Sequence, residues 1–193
     1  AAAGGAIGTG AFTSVEAART VNVAIADEDE ALLALTKLDP NLVTQGTRNR
    51  IRIDIDEAID DNGGKGVGSR SEYAFDELFG ITNQGTQTVY IQSEFEETNE
   101  TSGVSPGFYV ETADESLLGD DAALVIEPGQ TAAIGGYIDV GEGENVDVGY
   151  DEGNIDRIAE FNFDATISAE DEEPSGLTLL DNEGEEYDEG DDS

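Results

Sequence analysis

The segment Asn49–Asp56, NRIRIDID, alternates charged and β-branched apolar residues along its length. Ile51, Ile53 and Ile55 share one face of an extended chain, and the Arg and Asp side chains share the other. Such alternation is typical of a strand with one face in a core and the other in solvent. The segment therefore predicts a β-sheet that is buried on one side.

Similar patterns extend outward from this segment in both directions. Arg19–Ala26 predicts a half-buried strand on the N-terminal side, and Ile81–Phe95 predicts two strands joined by an Asn-Gln-Gly turn. Ala122–Glu127 and Thr131–Val140 flank a Pro-Gly pair that is typical of a type II turn. Ile158–Ser168 predicts a long final strand.

One segment suggests a helix instead. Ser69–Phe79 has Ser71 as a cap, an apolar stripe at Phe75, Leu78 and Phe79, and Gly80 at its end. With about eight to ten short strands between Gly, Pro, Asn and Asp turns, the chain predicts an all-β sandwich of the jelly-roll or Greek-key kind with one short helix.

Composition divides the chain into three parts. Residues 1–15 form an uncharged arm, residues 16–169 the sandwich domain, and residues 170–193 an acidic C-terminal tail. An uncharged arm on a chain of formal charge −37 needs a dry environment. We expect the arm to dock as an extended strand in a groove of a neighbouring copy; the alternative is pairing within its own subunit.

The arm carries the residues that would fill such a groove. Ile7, Ala11 and Val15 share one parity of the extended chain, and Phe12 lies on the other. Ile7 and Phe12 are the expected anchors, and a bulge at an intervening glycine could bring them to one side.

The charge composition excludes some partners and predicts an environment. The chain has 45 acidic and 8 basic residues, spread from residue 16 to its end. Self-repulsion at this charge destabilises a compact state unless concentrated salt screens it, so we predict a protein from a high-salt environment. Nucleic acid is not an expected partner, because binding phosphates requires clustered Lys and Arg.

The residue types also argue against an enzyme. The chain contains no His and no Cys, which removes the usual nucleophile and zinc arrangements. Acids are so frequent that none stands out as a catalytic pair, and no cofactor is predicted. Calcium or another cation could bind acidic loops. The weak candidate ligands are Asp27, Asp29, Asp60, Asp61, Glu142 and Glu144.

Two surface features complete the candidate sites. Arg48, Arg50 and Arg52 lie on one face of one strand, where they could pair across strands within the subunit or contact acids of a neighbour. Asn99 begins an Asn-Glu-Thr sequon and is a candidate glycosylation site.

Export is the expected localisation. The chain begins Ala-Ala-Ala without an initiator Met, as after signal-peptide cleavage. It has no apolar run long enough for a membrane helix. We therefore expect a secreted protein, at the cell surface or in an extracellular filament, with no membrane insertion in the mature form.

Several segments resemble the TasA/camelysin-like family of secreted β-sandwich proteins, which includes archaeal bundling-pilus subunits. These segments lie within residues 8–168 and read GTGAFTSVEAART, TVNVAIAD, ELFGITNQGTQTVYIQ and EPGQTAAI. The resemblance implies a jelly-roll subunit that polymerises head to tail by donor-strand complementation, with the N-terminal arm as the donor. The acidic tail is not part of the family pattern.

The leading hypothesis is thus a structural filament subunit that is its own partner and serves cell adhesion or a biofilm matrix. The alternative is a monomeric cell-surface β-sandwich module that binds a ligand or divalent cations.

Overall fold

The computed structural model describes residues 19–26, 33–46, 50–55, 71–97, 104–111, 118–119, 121–140 and 161–187. These residues form strands that are arranged in two sheets. The strands are β1 (Arg19–Ile25), β2 (Leu33–Lys37), β3 (Val43–Gln45), β4 (Arg50–Asp54), β5 (Ser71–Asn83), β6 (Val89–Glu97), β7 (Val104–Val110), β8 (Ala122–Ile126), β9 (Thr131–Val140), β10 (Phe161–Glu170) and β11 (Thr178–Leu180).

The larger sheet has seven strands in the order β11-β8-β6-β10-β1-β4-β3, and the smaller sheet has four in the order β2-β5-β9-β7. Most neighbours are antiparallel, but β1 runs parallel to β10 and β11 runs parallel to β8. The prediction of an all-β sandwich is confirmed. The predicted type II turn is also present, because Gly129 has a φ of 81° and the N–H of Gln130 donates to the Glu127 carbonyl at 3.0 Å.

The core lies between the two sheets. Alternate residues of β1, β4 and β10 point into it, as the strand period requires. Phe108 of β7 is at its centre: its ring meets Phe79 edge-on at a centroid distance of 5.1 Å and Phe95 at 4.8 Å. Such aromatic contacts add to the stability that area burial provides.

The helix predicted over Ser69–Phe79 is wrong. Residues 71–83 form strand β5, which pairs with β9 along both halves. The register of that pairing shifts between Phe75 and Phe79, where Glu77 has a φ of 50°. A bulge inserts extra residues into one strand and so interrupts the period of two. The apolar residues on either side of it therefore imitate the spacing of a helix.

Part of the acidic segment 170–193 belongs to the larger sheet. Strand β11 pairs with β8, and Leu180 is buried in the core. The chain then turns back, so that the N–H of Tyr187 donates to the Leu179 carbonyl at 2.8 Å. Asp181 stabilises this turn, because its Oδ1 accepts the N–H groups of Glu183 and Glu185, each at 2.9 Å.

Candidate assembly surface

Most of the sequence-predicted site residues lie outside the described part of the chain. These are the arm residues Ile7, Ala11, Phe12 and Val15, the cation candidates Asp27, Asp29, Asp60, Asp61, Glu142 and Glu144, and also Arg48 and Asn99. Within the described ranges, no three acidic side chains are grouped closely enough to hold a metal ion. Those ranges also contain no helix with the length and apolar character that a membrane span requires.

Two of the predicted arginines can be located. Arg50 and Arg52 project from the outward face of β4 and are exposed, whereas Ile51 and Ile53 between them are buried. Arg52 forms an ion pair with Asp54 of the same strand at 3.6 Å, and 55% of its side chain is exposed. An exposed ion pair of this kind contributes little to stability. The arginine face is thus available to a partner.

The outer strands of the two sheets decide where another strand could add, because an edge strand carries unpaired backbone groups. Strand β3 has 3 residues, and so has β11, whose outward side is followed by the returning segment 181–187. The edges of the smaller sheet are longer: β2 has 5 residues and β7 has 7.

A side chain closes the outward edge of β2. The Nε2 of Gln45 donates to the Leu35 carbonyl at 2.8 Å, and its Oε1 accepts the N–H of Lys37 at 3.2 Å. One amide therefore provides both the donor and the acceptor that an added strand would present at this position. This protection was not evident from the sequence, because it depends on the position of β3 beside the smaller sheet.

Strand β7 is more open toward its N-terminal end, whereas Gly184 lies close to the Val110 carbonyl at its C-terminal end. The Phe108 carbonyl points outward and accepts the N–H of Leu118 at 2.8 Å. Pro106 lies two residues earlier on the same outward edge and has no N–H to donate. Among the described residues, the bond from Leu118 is the single backbone hydrogen bond made to this edge. The side chains of Val104, Phe108 and Val110 enter the core along it.

A buried tyrosine connects β7 to the bulge of β5. Tyr109 lies on the face of the smaller sheet opposite to Phe108, and its hydroxyl donates to Asp76 Oδ1 at 2.6 Å. Burial, together with the hydrogen bond and the negative charge of Asp76, raises the pKa of Tyr109 far above its ordinary value. Asp76 belongs to the bulge of β5, so the contact ties the bulge to the edge strand.

The chain matches no protein-family model, and it shows no significant similarity to any curated protein or solved structure.

Proposed function

We propose that this chain is the structural subunit of an extracellular filament, in which the arm 1–15 of one copy pairs with the next copy by donor-strand complementation. The observation that carries the proposal is the edge of β7. It is the longest outer strand of the described part, and Val104, Phe108 and Val110 connect it directly to the core. An added strand there would bind through backbone hydrogen bonds and through side chains that extend the core.

The position of β1 supports an end-to-end arrangement. Strand β1 lies between β10 and β4 in the middle of the larger sheet, so it has no free edge. It begins at Arg19, with three residues between it and the uncharged arm 1–15. A contact in which every copy gives an arm and receives one is head-to-tail and does not close, so it produces a filament. The filament would serve cell adhesion or a biofilm matrix.

The absence of cysteine from the sequence allows a direct test. Protein with Ile7→Cys is mixed with protein carrying Ser105→Cys on β7 or, as the matched control, Thr36→Cys on β2; Ser105 and Thr36 are both exposed. A short bismaleimide should join Ile7→Cys to Ser105→Cys between molecules and leave the Thr36→Cys mixture largely monomeric. Equal yields with the two acceptors would reject β7 as the receiving edge.

The double variant Ile7→Cys/Ser105→Cys tests whether the arm on β7 comes from another copy or from the same chain. In dilute solution, a crosslink confined to one chain would show that the arm pairs within its own subunit. Deleting residues 1–14 should abolish the filaments in electron micrographs, with the circular-dichroism spectrum unchanged, and a synthetic arm peptide should then bind the truncated protein. Normal filaments from the truncated protein would overturn the proposed function.

A further inference from the structure

The outward face of the larger sheet carries opposite charges at two separate places. Sheet register aligns Arg52 of β4 with Asn22 of β1, Asp164 of β10 and Glu96 of β6 in one row across the strands. Residues directly opposite one another on neighbouring strands share a face. The next row on the same face consists of Arg50, Ala24, Thr166 and Glu94.

Within the described part of one subunit, the arginines and the glutamates do not pair with each other. Three strand spacings separate β4 from β6, or about 14 Å between the backbones, so Arg and Glu side chains would meet only if both were fully extended toward each other. Within the described part of the chain, Arg50 forms no ion pair, and Arg52 pairs only with Asp54 on its own strand. Glu94 and Glu96 are both exposed.

The residues between the arginines and the glutamates have short side chains, and most of them are polar. Asn22 donates from Nδ2 to Asp164 Oδ1 at 3.0 Å, and Thr20 donates to Asn162 Oδ1 at 3.0 Å. Ala24 and Thr166 occupy the other row. No large side chain therefore stands between the arginines and the glutamates on these rows to keep a flat partner at a distance.

We propose that a second copy of this chain docks face to face on this surface, around a two-fold axis that runs parallel to the strands between β1 and β10. Rotation about such an axis keeps each residue's position along the strands and reverses the order of the strands. Strand β4 therefore faces β6 of the second copy, and β1 faces its β10. The contact is isologous, so every pair occurs twice.

This rotation brings each arginine opposite an acid. Arg52 meets Glu96 of the second copy and Arg50 meets Glu94, because each of these pairs shares a row. Sheets that pack face to face lie about 10 Å apart, which long charged side chains can bridge. The surface is therefore complementary to itself. That property favours a second copy over an unrelated partner in a chain with only 8 basic residues.

The inference goes beyond the proposed function and is independent of it. The arm would join copies end to end at β7, whereas this face joins copies side by side through β4 and β6. Each contact can therefore form without the other, and different crosslinks report on them.

The test uses full-length chains with charge reversals and a crosslink at the proposed axis. Ala24→Cys is placed in one preparation and Thr166→Cys in the other. A short bismaleimide can span the distance of about 10 Å between facing sheets, which is too long for a disulfide, and it can join these two cysteines only between molecules. The native background should give this crosslink. Introducing Arg50→Glu/Arg52→Glu into both preparations should abolish the crosslink. Introducing Glu94→Arg/Glu96→Arg into both should abolish it as well. Mixing a preparation that carries the arginine reversal with one that carries the glutamate reversal should restore the crosslink, because opposite charges then face each other again.

Controls address the fold and the net charge. Glu172→Arg/Glu173→Arg makes the same change in net charge as Glu94→Arg/Glu96→Arg, on exposed residues beyond β10, and should leave the crosslink yield unchanged. All samples are compared at a salt concentration where each has the native circular-dichroism spectrum. The single changes Arg52→Glu and Glu96→Arg replace any double variant that does not fold. A native yield from the reversed proteins, or no recovery on mixing, would overturn the proposal.

Discussion

The side-chain Nδ2 of Asn83 donates to the Ile126 carbonyl at 2.9 Å and so connects the last residue of β5 to the last residue of β8. The same amide donates to the Gln87 carbonyl at 2.7 Å, and its Oδ1 accepts the N–H of Gly85 at 2.8 Å. The Asn83 carbonyl accepts the N–H of Gly129 at 2.8 Å. One fully buried residue therefore organises both turns at this end of the sandwich.

Replacing Asn83 with Ala should destabilise the domain by about 2–4 kcal/mol. It leaves the buried Ile126 carbonyl without a partner and removes the part-buried bonds to Gln87 and Gly85. Thermal and chemical unfolding would measure the change. Asn22→Ala is the matched control. Asn22 is exposed and bonds only with side chains, so its replacement should cost no more than about 0.5 kcal/mol. Equal effects would contradict the role of Asn83.

These contacts show how far the sequence could predict the fold. The period of two and the turn residues between strands predicted β1, β4, β8 and β9 closely, because both signals are local. The bulge at Asp76 and Glu77 hid the strand nature of β5, since pairing with β9 supplies the register that the local pattern lacks.

Long-range contacts account for the rest. Asn83 was expected only as a turn residue, and its bonds to β8 depend on which strands become neighbours. Gln45 looks like an ordinary polar residue in the sequence, and its role follows from the approach of β3 to β2. Arg50 and Arg52 were predicted on one outward face, and the structure places them there. The acids in their rows are far away in the sequence, so only the sheet register could identify them.

Gly135 should not tolerate a methyl group. A Cβ at this position would lie 2.4 Å from two ring atoms of Tyr109, so the ring would have to move. We expect Gly135→Ala to lower the free energy of unfolding by about 1–3 kcal/mol, as overpacking does. Gly80→Ala in the same sheet is the control, because its Cβ would meet Thr131 at an ordinary contact distance of 3.4 Å. A loss from Gly80→Ala as large as that from Gly135→Ala would contradict this explanation.

Stability should fall in strongly alkaline solution because of Tyr109. Its pKa is raised in the folded state, first by burial and then by Asp76, so the folded protein holds the proton more tightly than the unfolded chain. The stabilisation is complete below the ordinary tyrosine pKa of about 10. Above that pH it is lost at about 1.4 kcal/mol per pH unit. Chemical unfolding between pH 9 and 11 would measure this slope.

Tyr109→Phe should make that pH dependence distinctly shallower, although the hydrogen bond to Asp76 is also lost. Tyr137 has a pKa raised in the same direction by burial and by Glu72, so a residual slope is expected, and Tyr137→Phe measures that part. An unchanged slope in Tyr109→Phe would show that other groups cause the alkaline loss.

Gln45→Ala should open the edge of β2. The Leu35 carbonyl and the Lys37 N–H would lose their partner, which costs about 1 kcal/mol for each hydrogen bond. The more specific consequence is self-association through the unprotected edge, which light scattering would detect at rising protein concentration. Thr44→Ala removes the neighbouring exposed side chain of β3 and should change neither property. Aggregation of both variants alike would indicate a general loss of stability instead.

Folding should require concentrated salt, because like charges lie opposite each other on neighbouring strands, as Glu96 and Asp164 do. Asp139 of β9 lies directly opposite Glu72 of β5, and like charges in that position destabilise a sheet. On the whole chain, a formal charge of −37 is screened over about 3 Å in molar salt and only over about 10 Å at 0.1 M. Circular dichroism during dialysis to about 0.1 M salt should therefore show loss of structure.

Asp139→Asn should shift this transition to lower salt. Glu94→Gln is the control: it removes the same charge from a residue that lies opposite Thr166, and should shift the transition less. Equal shifts would mean that the total charge alone determines the salt requirement, and a native spectrum at low salt would show that the fold does not need screening.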